Sequence, residues 1–588
     1  MRTRLLIMIA ALVVAVPGVA AAQPATDPLN QIVKRMTLPQ KVGQLFATYV
    51  YGSNATAPSA ADAAANLKEY GVATPAEVVA KYHLGEVIYF TWSNNLNDPR
   101  QIATLSNGLQ TAAATSGSKI PLLVSTDQEQ GSVVWRMPPP ATTFPGAMAL
   151  GAGRSRADAY VAAQITGREL RAVGITQALA PVADVNVNPA NPVIGVRSFS
   201  SDPALAAEMV SAQVDGLQRG ANAAATAKHF PGHGDTAVDS HTGIPIITHT
   251  VDEWWRLDAP PFQAAIAGGI DSIMTAHIIV PALDPSGDPA TLSHPILTGL
   301  LRDHLGFGGV IITDALTMAG VRAKYGDDRV PVLALKAGAD MLLMPPNMDL
   351  AYKAVLDAVR NGELTESRID QSVHRILKLK QRRGLLTGAM VDVDAATRTV
   401  GRPDHLAAAQ DITDRTTTAV RNDAHVLPFA AAGRSVLVTG WDSTVFFNVR
   451  TLAERLGARG VQTTQIASGS APSDAKIAEV VGASSTADLT VVMTNNARGS
   501  ARQQQLVKAL AATGRPLVVV AVRDAYDIAY FTEVTTYLAT FTYTPPAMES
   551  LARVLLGERS PHGRLPVSIP VAGDPTTALY PFGYGLSW

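Results

Sequence analysis

Short apolar runs recur along the chain, and between them apolar positions return every three or four residues. The runs occupy residues 46–50, 87–90, 122–125, 178–181, 223–227, 272–276, 310–313 and 341–344. Runs this short, without alternation, read as strands buried on both faces, and the periodic stretches between them read as helices. Strands and helices alternating in this way predict a (β/α)8 TIM-like barrel, with an open doubly wound sheet as the alternative. Residues 52–80, rich in Ala, Ser and Asn, interrupt the pattern as an inserted loop with a helix. The barrel pattern covers residues 27–390, and residues 391–425 read as a linker with one helix. Apolar runs return at 436–439, 490–494, 517–522 and 537–542, alternating with helical stretches such as 503–512. They predict a smaller α/β sandwich over residues 426–588. Val438-Thr439-Gly440 is not followed by a glycine-rich phosphate fingerprint, so no nucleotide site is read there.

The barrel reading places polar residues where barrel chemistry is found, just past the carboxyl ends of the strands. Asp127 follows the third run, Asp184 and Arg197 the fourth, and His277 the sixth. Lys228 and His229 end the fifth, and Asp314 ends the seventh.

Residues 228–245 read K-H-F-P-G-H-G-D-T-A-V-D-S-H-T-G-I-P. Pro and Gly break any regular period, so this is a loop following a buried strand. It gathers Lys228, His229, His233, Asp235, Asp239 and His241. Such a set suits acid–base chemistry, a metal site or a solvated loop. The spacing fits no helical H-E-x-x-H pair. Asp239 and His241 are two apart, so the carboxylate can reach an imidazole nitrogen, fix its tautomer and raise the basicity of the other nitrogen.

The whole loop resembles the signature of family 3 glycoside hydrolases, in the β-N-acetylglucosaminidase branch. The resemblance implies that Asp239 and His241 form a dyad with His241 as general acid/base. It further implies that Lys228 and His229 bind sugar hydroxyls. Residues 127–136, D-Q-E-Q-G-S-V-V-W-R, are similar to the family's D-Q-E-G-G-x-V-x-R, whose Asp and Arg hold the sugar. Asp127 carries over. Gln130 stands in place of a glycine, Trp135 stands where the arginine belongs, and Arg136 comes one residue late, as a sugar ligand or a surface charge.

Residues 144–151, F-P-G-A-M-A-L-G, match again, and N-P-V-I-G-V-R-S-F supplies Arg197, as a sugar ligand or a rim ion pair. In V-I-I-T-D-A-L-T-M, Asp314 matches the catalytic nucleophile, against the plainer reading of a helix N-cap. G-R-L-P-V-S-I-P (563–570) and Y-P-F-G-Y-G-L-S (580–587) resemble the end of the family's second domain.

The implied activity is retaining hydrolysis of terminal β-linked N-acetylglucosamine through a covalent glycosyl-enzyme, without metal or organic cofactor. Substrates would be peptidoglycan fragments (muropeptides) or chitin-type oligosaccharides. A phosphorylase of the same fold is one alternative, because a histidine acid does not repel phosphate. A non-catalytic cell-wall binding protein is the other, and the departure at Trp135 is its support.

Composition narrows the setting. The 588 residues are 47% hydrophobic and 16% charged, with a net charge of -1 and no basic excess that would suggest nucleic acid or an anionic membrane surface as partner. There is no cysteine, hence no disulfide and no thiolate metal site. Residues 1–22 combine Arg2 and Arg4, an apolar run and Ala20-Ala21-Ala22, the pattern of a secretory signal. The expected product is an exported, soluble monomer acting outside the cytoplasm.

Overall fold

The computed structural model describes residues 27–588 except His241, Thr242, Ala323 and Ala431. The expected signal segment, residues 1–22, and His241 therefore lie outside the described residues.

Eight parallel strands form the first sheet: β1 (Phe46–Thr48), β2 (Glu86–Ile88), β3 (Leu123–Thr126), β4 (Gln177–Ala178), β5 (Ala224–Phe230), β6 (Ser272–Thr275), β7 (Val310–Ile312) and β8 (Leu342–Leu343). Each overlaps one of the apolar runs. The order β7-β6-β5-β4-β3-β2-β1-β8 runs through neighbours in sequence. A parallel bridge between Ile312 and Met341, with Thr313 N donating to Met341 O at 3.0 Å, joins the two outer strands and makes a barrel. Every residue of these strands is buried, by barrel-filling side chains inside and helices outside, which is why the strands read as short, mostly apolar runs.

Helices cover the outside. Asp98, Asp202 and Thr365 accept from backbone N–H groups at the starts of Pro99–Thr115, Pro203–Asp215 and Glu366–Arg382. Those caps satisfy donors that the first turn leaves unpaired.

The amino ends of the strands are closed by buried charge. Arg375 Nη1 lies 3.0 Å from Asp340 Oδ1, and Arg383 Nε lies 2.7 Å from Asp271 Oδ2. Lys380 Nζ donates to Gln44 Oε1 at 2.7 Å. Polar groups at this end brace the barrel, and barrel chemistry is found at the other end.

Residues 391–425 are more built than a linker with one helix. They carry the helices Val393–Thr399 and Pro403–Thr413, and then β9 (Thr418–Asn422), the antiparallel edge of the second sheet. The other members are β10 (Ser435–Gly440), β11 (Gln462–Ala467), β12 (Leu489–Thr494), β13 (Leu517–Ala521) and β14 (Thr536–Ala539), in the order β11-β10-β12-β13-β14-β9.

The second domain leans on loops at the carboxyl end of the barrel. Tyr543 Oη donates to Ser132 O at 2.9 Å, and Asn186 Nδ2 donates to Tyr526 Oη at 3.0 Å. Ser200 Oγ donates to Pro566 O at 2.7 Å. The loops after β3 and β4 are thus braced by side chains and carbonyls far away in sequence.

Candidate active site

The loops after β2, β3, β4, β5 and β7 enclose a cavity of about 320 Å3 at the carboxyl end of the barrel. Asp127, Arg136, Arg197, Lys228, His229 and Asp314 all line it. The structure thus brings together the whole set expected to hold substrate, with the expected nucleophile. Ser240, which stands between Asp239 and His241 in the sequence, lines it too. Asp239 is half-buried, and its carbonyl accepts from Gly243 N at 3.0 Å.

Two charged ladders order the floor. Lys228, carried on β5, places Nζ 2.8 Å from Asp127 Oδ1 and 2.7 Å from Glu129 Oε1. Glu129 also takes Arg197 in a two-point pair, with Nε and Nη2 each at 2.8 Å. Burial alone would raise the Glu129 carboxyl, but Arg197 and Lys228 hold it far below the usual carboxylate range. The same contacts raise the Arg197 and Lys228 pKa values against desolvation, so all three groups stay charged.

The second ladder is built on Asp184. Its Oδ2 lies 2.7 Å from His229 Nδ1, and its Oδ1 accepts from the backbone N–H of His229 at 3.0 Å and of His233 at 2.7 Å. His229 is thereby fixed with its far nitrogen available to the cavity. His233 sits between Thr236 Oγ1 at 2.9 Å and Ser240 Oγ at 3.0 Å. Burial lowers its pKa to about 4, so it is a neutral spacer that holds the loop.

Asp314 stands two residues beyond β7, with Oδ1 accepting from Ala315 N at 2.7 Å. The next helix, Ala319–Arg322, starts five residues later, so the N-cap reading of Asp314 does not hold. His277, at the end of β6, places Nε2 3.0 Å from Ala315 O and supports the same turn. Burial would raise the Asp314 carboxyl, but His229 and His277, then the Ala315 N–H and Lys228, bring it below its usual value. It is an ionised carboxylate, as a nucleophile requires.

Arg136 is no surface charge. It lines the cavity, its guanidinium lies 6.0 Å from the centre of the Phe90 ring, and its Nε is buried without a partner among the described residues. Trp135 points elsewhere, packing on Phe446 of the second domain with ring centroids 5.2 Å apart. The tryptophan is therefore a domain contact, and the arginine one residue later takes the cavity. Gln130 adopts φ +72°, which suits glycine, and its amide ties the turn down through Thr166 Oγ1 at 2.6 Å and Phe144 N at 3.2 Å.

Glu129 and Asp184 are the functional residues that sequence reading left unassigned. Glu129 was signalled by standing two residues after Asp127 at the same strand end. Asp184 had only its position after β4 to mark it. Among the described residues no group of three or more His, Asp or Glu side chains is placed to hold a metal ion. A larger cleft of about 900 Å3 runs between Trp135 and the second domain. Its arginines are paired with carboxylates in and around it, with Arg459 2.7 Å from both Glu549 and Glu558.

Comparison with known proteins agrees with this geometry. The family model described as "Glycosyl hydrolase family 3 N terminal domain" matches residues 37–379, and "Glycosyl hydrolase family 3 C-terminal domain" matches residues 417–588. Beta-hexosaminidase A of Pseudoalteromonas piscicida is 39% identical over 375 residues, 60% of this chain and 62% of that protein. The chain thus spans less than two thirds of that relative's length. A beta-N-acetylglucosaminidase/beta-glucosidase of Cellulomonas fimi is 33% identical over 381 residues, 60% of this chain and 67% of that one. A solved glycoside hydrolase family 3 beta-N-acetylglucosaminidase from Paenibacillus sp. str. FPU-7 superposes with a TM-score of 0.83 at 38% identity, covering 91% of this chain and 99% of that one.

Proposed function

This chain belongs to glycosyl hydrolase family 3, and we propose that it is an exo-acting β-N-acetylhexosaminidase. It would release terminal N-acetylglucosamine from chitin-type oligosaccharides or peptidoglycan fragments outside the cytoplasm. The observation that carries the reading is the presence of Ser240, flanked by Asp239 and His241, in the wall of the cavity that holds Asp314. A nucleophile and an acid/base-bearing loop on one cavity are what a two-step displacement needs.

In the proposed cycle Asp314 attacks the anomeric carbon, and His241 protonates the departing oxygen. His241 then deprotonates water, which hydrolyses the glycosyl-enzyme with the β configuration kept. A group with an ordinary pKa of about 6.5 can serve both halves near neutrality. Asp239 orients His241. Asp127, Lys228, His229, Arg136 and Arg197 hold the sugar, with no metal or cofactor in any step. Residues 1–22 direct export. Among the described residues no helix is long and apolar enough to cross a membrane.

The test is product release from 4-nitrophenyl glycosides of N-acetylglucosamine, glucose and xylose, in phosphate and in phosphate-free buffer. Preference for the N-acetylglucosaminide, with free sugar as product in both buffers, is expected. A faster glucoside would overturn the specificity. Sugar-1-phosphate as the product would replace hydrolysis by phosphorolysis.

A further inference from the structure

Phe90 and Trp92 follow β2. Phe90 lines the cavity, and Trp92 stacks on it with ring centroids 4.9 Å apart and planes at 23°. Two tyrosines that follow β1 pack against the indole at steep interplanar angles, Tyr49 at 4.9 Å and 70° and Tyr51 at 5.9 Å and 67°. Tyr49 is itself backed by the buried Tyr70, whose hydroxyl donates to the Tyr49 carbonyl at 2.7 Å. The loop beneath is pinned, for Asn95 Nδ2 donates to Val50 O and Gly52 O, both at 3.0 Å, and Gly52 N donates to Ser93 O at 2.9 Å. Despite this, Trp92 is 55% exposed. Phe90 stacks on one face of the ring, and more than half of the residue's surface remains open to solvent.

A single exposed apolar side chain needs no explanation. This one differs in being braced at fixed orientation and continuous with the wall of the cavity. The cavity is small, at the lower end of the range of about 300–1,000 Å3 for small-molecule pockets, so it suits one sugar ring and excludes a chain. Whatever the terminal sugar is linked to must therefore lie outside, at the rim. A β-linked pyranose with equatorial substituents offers a flat face of axial C–H groups, which an indole face matches in shape and polarity.

We propose that Trp92, backed by Phe90, Tyr49 and Tyr51, is the platform for the leaving-group sugar, a pyranose with equatorial substituents next to the terminal residue. The inference deepens the proposed hydrolase reading and rests on it. Trp92 is a specificity residue here. It touches the departing sugar and not the bond being cleaved.

The test compares wild type, Trp92→Ala and Trp92→Tyr on chitobiose and chitotriose, together with inhibition by free N-acetylglucosamine, which needs only the cavity. A 4-nitrophenyl leaving group is avoided because its own ring would stack on the indole. In Trp92→Ala, kcat/KM for both oligosaccharides should fall about five- to tenfold, the range one ring stack supplies. The inhibition constant for the monosaccharide should stay within about twofold, and Trp92→Tyr should restore most of the loss. Unchanged kcat/KM in Trp92→Ala, or an equal loss of monosaccharide affinity, overturns the platform while leaving the hydrolase reading in place. A wild-type protein that releases no N-acetylglucosamine overturns both.

Discussion

Arg197 and Glu129 meet as a two-point ion pair, with both nitrogen–oxygen distances 2.8 Å and side-chain exposures of 12% and 6%. Planar guanidinium and planar carboxylate match, so the pair fixes the angle of Arg197 as well as its place. The ion pair read for Arg197 is present, and Glu129 aims the same side chain at the cavity that it lines.

Removing Glu129 should hurt more than removing Arg197. Glu129→Ala leaves both Arg197 and Lys228 buried beside each other without that carboxylate, a loss in the range of about 3–5 kcal/mol for a broken buried pair. Urea unfolding of Glu129→Ala and Arg197→Ala measures the difference. Arg197→Ala should remain folded and lower kcat/KM, mainly through KM.

Asp314→Ala should abolish turnover on every substrate, because no covalent intermediate can form. His241→Ala should depend on the leaving group. A sugar leaving group needs a proton, and losing that help costs about 10²–10⁴-fold. A nitrophenolate does not, so a burst of nitrophenol followed by slow turnover is expected, with added azide speeding the slow phase. Equal losses on both substrates without a burst would move the acid/base role away from His241.

The fields of His229 and His277 hold Asp314 below its ordinary carboxylate value, so it ionises early as pH rises. The acidic limb of kcat/KM should therefore lie below pH of about 3.9, where an unperturbed aspartate titrates. A pH–rate profile in low-salt buffer locates it, provided that the fold persists at that pH by circular dichroism.

His249 bridges Asp235, on the catalytic loop, at 3.0 Å and the buried Asp258 at 2.7 Å. Hydrogen bonds to Asp235 and Asp258 raise its pKa from 6.5 to about 10. A raised folded pKa means stability that is full below the unfolded value of 6.5 and lost as pH climbs through about 10. The stability gap between wild type and His249→Gln should accordingly be constant below pH 6.5 and shrink toward pH 10. Paired chemical denaturations across that range measure it.

The sequence by itself determined the barrel. Strands buried on both faces are mostly apolar, so each of the eight overlaps an apolar run, and the polar residues at their carboxyl ends marked the candidate site. The same reasoning missed β9 and β11, which lie at the edges of the second sheet. β11 reads Q-T-T-Q-I-A with no buried residue, and an edge strand half in solvent needs no apolar run. Motif spacing brought Asp127, Lys228, His229 and Asp314 together on paper. Only the tertiary structure decided that Arg136 turns into the cavity while Trp135 turns out to Phe446, because neighbours in a loop follow no period. Only it decided that Glu129 aims Arg197, since that contact joins loops after different strands, and a periodic pattern records burial of each residue but never the identity of its partner.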